Sequence, residues 1–179
     1  MHDYRAGYEV ITTCSARSFD HVKSLGASVA FDYKDPECAA KIREYAGDKL
    51  TKVFDTISKD DSPKICADAI SSQGGIISCT LPYPADWEEM KSKNINVKMV
   101  FTLGIWGTEF GYGEQVIPGD PSDFEFGKRL YAVTEELLHH GKIKVHPPKV
   151  HDTGLEGVLE GLEDVKNGKA GGVKLVYNL

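Results

Sequence analysis

The sequence lacks three features that would each have placed it in a well-defined class of proteins. No apolar run approaches the roughly 20 residues that a membrane-spanning helix needs, and no apolar stretch of a secretory signal follows the first five residues. Basic residues are outnumbered by acidic ones, 21 to 27, and the net charge is −6. An acidic chain does not attract a phosphate backbone or an anionic membrane. We therefore expect an unprocessed cytoplasmic protein with neither nucleic acid nor membrane as a partner.

The cysteines also form no recognisable site. The four of them are widely and irregularly spaced, and no CxxC pair occurs. A zinc ribbon or a thioredoxin-like redox site therefore has no support. Reduced, buried thiols are the expected state, and the residues concerned are Cys14, Cys38, Cys66 and Cys79.

Short β-rich runs alternate with helical patterns in the first half of the chain. Strands are predicted at residues 8–14, 28–31, 52–56 and 76–80, and helices at 19–25, 38–45 and 65–70. Ser62 and Pro63 are predicted as the N-cap and first residue of the third helix. Strands separated by helices of this length imply crossover connections. The pattern therefore predicts an α/β domain with a mainly parallel sheet.

The second half is less regular. We predict a loop at residues 81–93, a strand at 97–103 and a long glycine-rich loop at 104–121. Amphipathic helices follow at 126–138 and 155–165, and a strand at 173–177 ends the pattern. Pro147 and Pro148 allow residues 145–150 to form only an edge strand or an extended link, because proline cannot donate to a ladder.

A candidate phosphate-binding group follows the first predicted strand. No glycine-rich turn is present there, so backbone amides cannot cradle a diphosphate as they do in a Rossmann fingerprint. Ser15 and Arg17 nevertheless offer a hydroxyl and a fork of donors that suit a phosphate monoester. The alternative is that Ser15 or Ser18 caps a helix and Arg17 is solvated.

Acid–base chemistry has two candidates, Asp55 and His146. Asp55 stands at the carboxyl end of a predicted parallel strand, where open α/β sheets place ligand groups. It is either a general base or an aspartate that caps a helix or orders a loop. The histidines near His146 lack the carboxylate spacing of a metal site, so we expect them to be solvated; they are His139, His140 and His151.

Aromatic residues flank the predicted long loops. They either line a hydrophobic ligand cavity or cover exposed sheet edges, and they are Trp87, Trp106, Phe110 and Tyr112.

Five segments together resemble a known family. Their order and spacing over nearly the whole chain is similar to the cofactor domain of medium-chain dehydrogenase/reductases, and most similar to the zinc-independent trans-acting enoyl reductases of fungal polyketide pathways. The resemblance implies a truncated Rossmann-like three-layer domain that spans residues 1–179. The segments are residues 7–15 (GYEVITTCS), 25–27 (LGA), 31–33 (FDY), 74–75 (GG) and 172–176 (GVKLV).

The resemblance also implies a cofactor site for NADP(H). Ser15 and Arg17 match the residues that hold its 2′-phosphate, and Lys23 is a second phosphate contact. Tyr33 matches the tyrosine near the adenine ribose. Leu81 occupies the position beside the nicotinamide, and residues 101–106 match the next lining segment.

The chain also differs from the family, and these differences predict which parts of the cofactor site are missing. Family members have about 150 further residues that form a catalytic domain, followed by the first, central strand of the sheet and its glycine-rich loop. We therefore expect at most weak NADP(H) binding and unpaired edges on two neighbouring strands. Either the strand at 8–14 pairs with that at 52–56, or another chain fills the gap, and we expect a homodimer for this reason.

Three functions remain open from the sequence. The first is a truncated enoyl reductase-like domain that retains weak NADP(H) affinity. The second is a non-redox tailoring enzyme, a cyclase, isomerase or lyase, that acts on a polyketide-like molecule with Asp55 and His146 in the vacated crevice. The third is a non-catalytic protein-binding pseudoenzyme.

Overall fold

The computed structural model describes residues 7–83 and 87–179, and side chains are described for all of these except 87–89. The chain divides into two compact units, one that ends at Arg129 and one that comprises Leu130–Leu179. Within the described residues no helix is both long and apolar enough to span a bilayer.

The first unit begins with the predicted alternation of strands and helices, which is confirmed. Its strands are β1 (Ile11–Cys14), β2 (Val29–Asp32), β3 (Lys52–Asp55), β4 (Gly75–Cys79) and β5 (Ile95–Met99). Its helices are α1 (Phe19–Ser24), α2 (Cys38–Ala46), α3 (Ser62–Ala69) and α4 (Trp87–Ser92), and a 3-10 helix (Ala16–Ser18) precedes α1.

The strands of this α/β fold are mainly parallel, as predicted. β1 pairs with β2, and Ile11 lies opposite Val29. β3, β4 and β5 form a separate three-stranded parallel sheet. The sequence left two ways to compensate for a missing central strand. The first, direct pairing of the first and third strands, does not occur among the described residues. β1 bonds to β2 and β3 bonds to β4, and no ladder joins β1 to β3.

Two apolar clusters hold this unit together on one side of the strands. The larger one contains Ile77 and Cys79 of β4, which are completely buried under Ile70. The smaller one joins the two sheets, because Ala69 of α3 contacts the same cluster as Ile11 of β1. Burial of a side chain such as Ile77 contributes about 2 kcal/mol to folding.

Two glycines, Gly47 and Gly74, are required for different structural reasons. Gly47 ends α2 in the left-handed region at φ 57°, and a Cβ there would meet nothing. Gly74 (φ 81°) precedes β4 at a point where the chain passes directly beside the backbone of Asn94, so that a Cβ would overlap the carbonyl of Asn94. The N–H of Gly75 donates to that same carbonyl at 3.2 Å.

Three predictions for the first unit need correction. Residues 81–93 are not all loop, because they contain α4. Residues 104–121 contain the end of a 3-10 helix (Thr102–Trp106) and an antiparallel hairpin of β6 (Phe110–Tyr112) and β7 (Gln115–Ile117). Ser62 is the first residue of α3 rather than its N-cap, which is Asp61, and its hydroxyl donates to Asp55 instead of capping the helix.

The second unit starts within α5 (Pro121–His139), which begins before the unit boundary. It continues with β8 (Pro148–His151), α6 (Glu156–Lys166) and β9 (Lys174–Tyr177). β8 and β9 form a two-stranded parallel sheet in which Pro148 is the first residue, as the prediction of an edge strand requires. α6 approaches β9 closely through Gly161, where a Cβ would overlap the ring of Tyr177.

Candidate functional site

A buried carboxylate stands at the carboxyl end of β3. Asp55 is its last residue and is only 5% exposed. Its Oδ1 accepts the backbone N–H groups of Ile57 and Ser58, both at 2.9 Å. Its Oδ2 accepts the hydroxyls of Ser62 and Tyr83, both at 2.8 Å. Four donors therefore hold the carboxylate, and this geometry is that of an aspartate that orders a loop; its role as a general base stays a prediction.

Ser58 adds a second link between the same two strand ends. It adopts φ 57°, and its buried hydroxyl donates to the carbonyl of Asp55 at 2.8 Å and accepts the N–H of Thr80 at 2.9 Å. The Thr80 hydroxyl in turn donates to the carbonyl of Thr56 at 3.2 Å. The loop after β3 is thereby fixed to the end of β4, and this sets the backbone immediately before Leu81.

Sequence reasoning did not find the partners of Asp55. Ser58 was not singled out because its left-handed conformation has no signature in a serine. Tyr83 is 28 residues away and lies in a segment (LPYP) that was predicted only as loop. The neighbouring prolines could have indicated a fixed conformation there, but not the contact with Asp55.

The thiol near this carboxylate is inert. Burial, reinforced by the negative charge of Asp55, raises the pKa of Cys66 to about 12. Burial is also the main reason that the pKa of the Tyr83 phenol lies well above its usual value. Cys66 is therefore protonated near neutral pH and is not a nucleophile. All four cysteines are free, as predicted. Cys38 and Cys79 are buried, whereas Cys14 and Cys66 are only partly buried, so the prediction of burial is wrong for these two.

The predicted phosphate group lies directly after β1. The N–H of Ser18 donates to the carbonyl of Ser15 at 2.8 Å, and their hydroxyl oxygens are 3.4 Å apart. Neither hydroxyl caps its helix, so the capping alternative is not adopted. Arg17 is exposed, and within the described chain no carboxylate pairs with its guanidinium.

The other predicted cofactor residues are exposed as well. Lys23 on α1 has no ion pair among the residues that the structure describes. Tyr33 follows β2 and is 47% exposed, with Lys34 Nζ at 6.0 Å from its ring centroid. Leu81 is 43% exposed just after β4. Ser15, Tyr33 and Leu81 thus all follow the carboxyl ends of parallel strands, the edge at which such sheets bind ligands.

The second acid–base candidate lies in the other unit. His146 is exposed in the segment before β8. His140 lies 3.4 Å from a carboxylate oxygen of Glu136, and His151 stacks on Tyr177 with ring centroids 5.0 Å apart. No group of three or more potential ligands that could hold a metal ion occurs in residues 7–83 and 87–179.

Some aromatic residues of the second half contact one another in a local cluster, and they do not all line one common surface. Phe101 contacts the rings of Phe110 and Tyr112 edge-on, at centroid distances of 5.7 and 5.1 Å. Trp106 remains 63% exposed. The side chain of Trp87 lies outside the part that the structure describes. The segment 104–121, which was predicted to be a loop, therefore contains a hairpin whose aromatic rings pack on Phe101.

Comparison with other proteins tests the resemblance that the sequence shows. No protein-family model matches the chain. A trans-enoyl reductase of Alternaria alternata is 39% identical over 97% of this chain and 48% of its own length. A trans-enoyl reductase of Pyricularia oryzae is 36% identical over 97% of this chain and 49% of its own.

Solved structures give the same result for the fold. The CurK enoyl reductase superposes with a TM-score of 0.71 at 16% identity, over 98% of this chain and 49% of that one. The CurF ER cyclopropanase of the curacin A pathway superposes with a TM-score of 0.63 at 18% identity, over 96% and 48%. The resemblance to fungal trans-enoyl reductases is therefore confirmed: over nearly all of its own length, this chain matches about half of theirs.

Proposed function

We propose that these 179 residues are the NADP(H)-binding part of an enoyl reductase that acts in fungal polyketide biosynthesis. The observation that carries the proposal is the group of donor side chains after β1 that pair with no carboxylate among the described residues. The Ser15 hydroxyl caps no helix, and Arg17 and Lys23 have no carboxylate partner within the described residues. In an acidic chain, cations with no carboxylate partner among the described residues, beside a hydroxyl whose contact with Ser18 is long at 3.4 Å, suit a phosphate monoester. NADP(H) differs from NAD(H) by such a group.

The remaining contacts extend this site along one edge of the strands. Tyr33, after β2, would contact the adenine ribose. Leu81, after β4, would contact the nicotinamide, and the links from Asp55 and Ser58 fix the backbone before it. When bound, NADP(H) would supply hydride to an unsaturated, polyketide-like substrate. This chain's part is to position the cofactor, because a displacement of about 1 Å at a reacting centre lowers rates strongly.

Binding by these residues alone should be weak. No glycine follows β1 in residues 15–18, where a glycine-rich turn would donate the amides that hold a pyrophosphate. The phosphate contacts of Ser15, Arg17 and Lys23 then provide most of the affinity.

Calorimetric titration with NADPH and NADH tests the proposal. We expect Arg17→Ala to weaken NADPH binding about tenfold, which corresponds to about 1.4 kcal/mol, and to leave NADH binding unchanged. Arg129→Ala, which removes an exposed arginine from α5, is the matched control and should have no effect. Equal affinity of the unmodified chain for NADPH and NADH would contradict the phosphate assignment.

The other hypotheses from the sequence have less support. A non-redox tailoring enzyme needs an available base, whereas the carboxylate of Asp55 already accepts four hydrogen bonds. Turnover of a polyketide-like compound without NADPH would favour that hypothesis. The homodimer and the cytoplasmic location stay predictions, and sedimentation of the purified chain measures the first of them.

A further inference from the structure

The exposed residue after β4 is held on both sides by hydrogen bonds to the end of β3 and to the loop that follows it. The ladder between β4 and β5 ends before Thr80, so it does not fix Leu81. The N–H of Thr80 donates to Ser58 Oγ at 2.9 Å. The hydroxyl of Tyr83 donates to Asp55 Oδ2 at 2.8 Å. Leu81 therefore lies between two anchored residues, while its own side chain is 43% exposed.

The first anchor, Ser58, adopts a backbone conformation that favours glycine. Its φ is 57°, which is unfavourable for a residue with a Cβ and readily accessible to glycine. A glycine could not hold Thr80, however, because the Ser58 hydroxyl is the acceptor of that N–H. Strained conformations of this kind are concentrated at functional sites. The strain therefore indicates that a hydroxyl is needed at this place.

The Ser58 hydroxyl is aimed at Thr80 by two further bonds. It donates to the carbonyl of Asp55 at 2.8 Å, which directs its proton away from Thr80 and leaves a lone pair for the N–H. The N–H of Ser58 also donates to Asp55 Oδ1 at 2.9 Å. Because Ser58 is only 2% exposed, water competes little for these bonds. The acceptor of the Thr80 N–H is therefore preorganised.

The second anchor, Tyr83, holds the chain on the other side of Leu81. It is 5% exposed, and it belongs to the apolar cluster that contains Ile77. Its hydroxyl reaches Asp55, the same carboxylate that accepts the N–H of Ser58. One carboxylate thus connects both anchors, and a displacement of Leu81 would strain a buried hydrogen bond on either side.

We propose that Ser58 and Tyr83 are positioning residues for the nicotinamide half of NADP(H), and that they act by fixing the backbone of Leu81. The inference rests on the proposed function and adds two residues that do not themselves bind the cofactor. Both are buried and both hydroxyls are already hydrogen-bonded, so their effect passes through Leu81. They flank an exposed side chain at the edge where such sheets bind ligands, which favours a role in binding over one in folding alone.

Titration of the full 179-residue chain with two ligands, followed by NMR, tests the proposal. One ligand is NADPH, and the other is 2′-phospho-ADP-ribose, which lacks the nicotinamide ring. We expect the unmodified chain to bind NADPH more tightly than the fragment. The amide signal of Leu81 should shift when NADPH is added and stay in place when the fragment is added.

Two variants remove the anchoring hydroxyls with little other change. Ser58→Gly replaces the serine by a residue that adopts φ 57° readily, and Tyr83→Phe keeps an aromatic ring in the apolar cluster. Each should weaken NADPH binding about fivefold, the equivalent of one lost hydrogen bond. Each should leave binding of 2′-phospho-ADP-ribose unchanged, which a general loss of structure would not do.

The chain offers a matched control for each variant. Ser72→Gly removes a hydroxyl that donates to Asp48 ahead of β4. Tyr45→Phe removes a hydroxyl that donates to Glu9 from α2. Both controls should bind the two ligands as the unmodified chain does.

The contrary outcomes are distinct from one another. Equal affinity of the unmodified chain for both ligands would overturn the inference and leave the phosphate assignment standing. Equal weakening of both ligands by Ser58→Gly and Tyr83→Phe would reduce the anchors to a role in folding and overturn it as well, as would no effect of either variant. If the unmodified chain bound neither ligand, the proposed function itself would fail, and this inference with it.

Discussion

Replacement of Asp55 by alanine should lower the free energy of unfolding by about 4 kcal/mol. The change leaves two backbone N–H groups and the hydroxyls of Ser62 and Tyr83 without their acceptor in a buried place. It also disconnects the loop after β3 from the segment that contains Tyr83. Urea denaturation followed by circular dichroism measures the loss as a lower midpoint at constant m value.

Two controls separate this network from the mere loss of a carboxylate. Tyr83→Phe removes one donor and leaves Asp55 with three partners, so it should cost about 1 kcal/mol. Asp20→Ala removes an exposed aspartate in the first turn of α1 and should cost less than about 0.5 kcal/mol. If Asp55→Ala were as mild as Asp20→Ala, the carboxylate would not be ordering the two loops.

Substitution of Gly74 by alanine should destabilise the fold by about 3 kcal/mol. The positive φ alone costs about 1 to 2 kcal/mol in a residue that has a Cβ. The additional cost comes from overlap with the backbone of Asn94, which cannot move without disturbing the start of β5. Thermal unfolding is the direct measurement, and it should show a lower midpoint.

Gly47→Ala is the matched variant for this prediction. Gly47 has a similar left-handed conformation, but a Cβ there meets nothing within 4 Å. It should therefore cost about 1 kcal/mol, from conformation alone. An equal effect of the two substitutions would mean that the close approach of Gly74 to Asn94 contributes nothing.

Local sequence signals predicted the strands and helices of the first unit, for identifiable reasons. Gly26 and Gly47 both adopt positive φ, at the points where the helical patterns end. The apolar runs that became β3 and β4 are bounded by turn residues. The hairpin of β6 and β7 was missed because its strands are only three residues long and β6 contains glycine, so that no alternation could be counted.

The candidate site could be predicted only in part. The position of Asp55 follows from its place at the end of a strand, since parallel strands bring their carboxyl ends together. The hydrogen bonds that the carboxylate accepts do not follow from the sequence, because one of their donors, Tyr83, reaches it from beyond β4. Likewise Ser15 was predicted to bind phosphate or to cap a helix, and only three-dimensional geometry shows that its side chain makes no cap.

The lysine at the start of β3 has a consequence for how the isolated chain behaves at high concentration. An unpaired strand edge is a template for association with other edges, and the exposed Phe54 would favour such aggregation. Lys52 places a charge at the entrance to this edge, where it lies over Tyr8. Charged residues at such places discourage unintended strand pairing. The same side chain that bonds Tyr8 near the start of β1 therefore also disfavours aggregation through this edge.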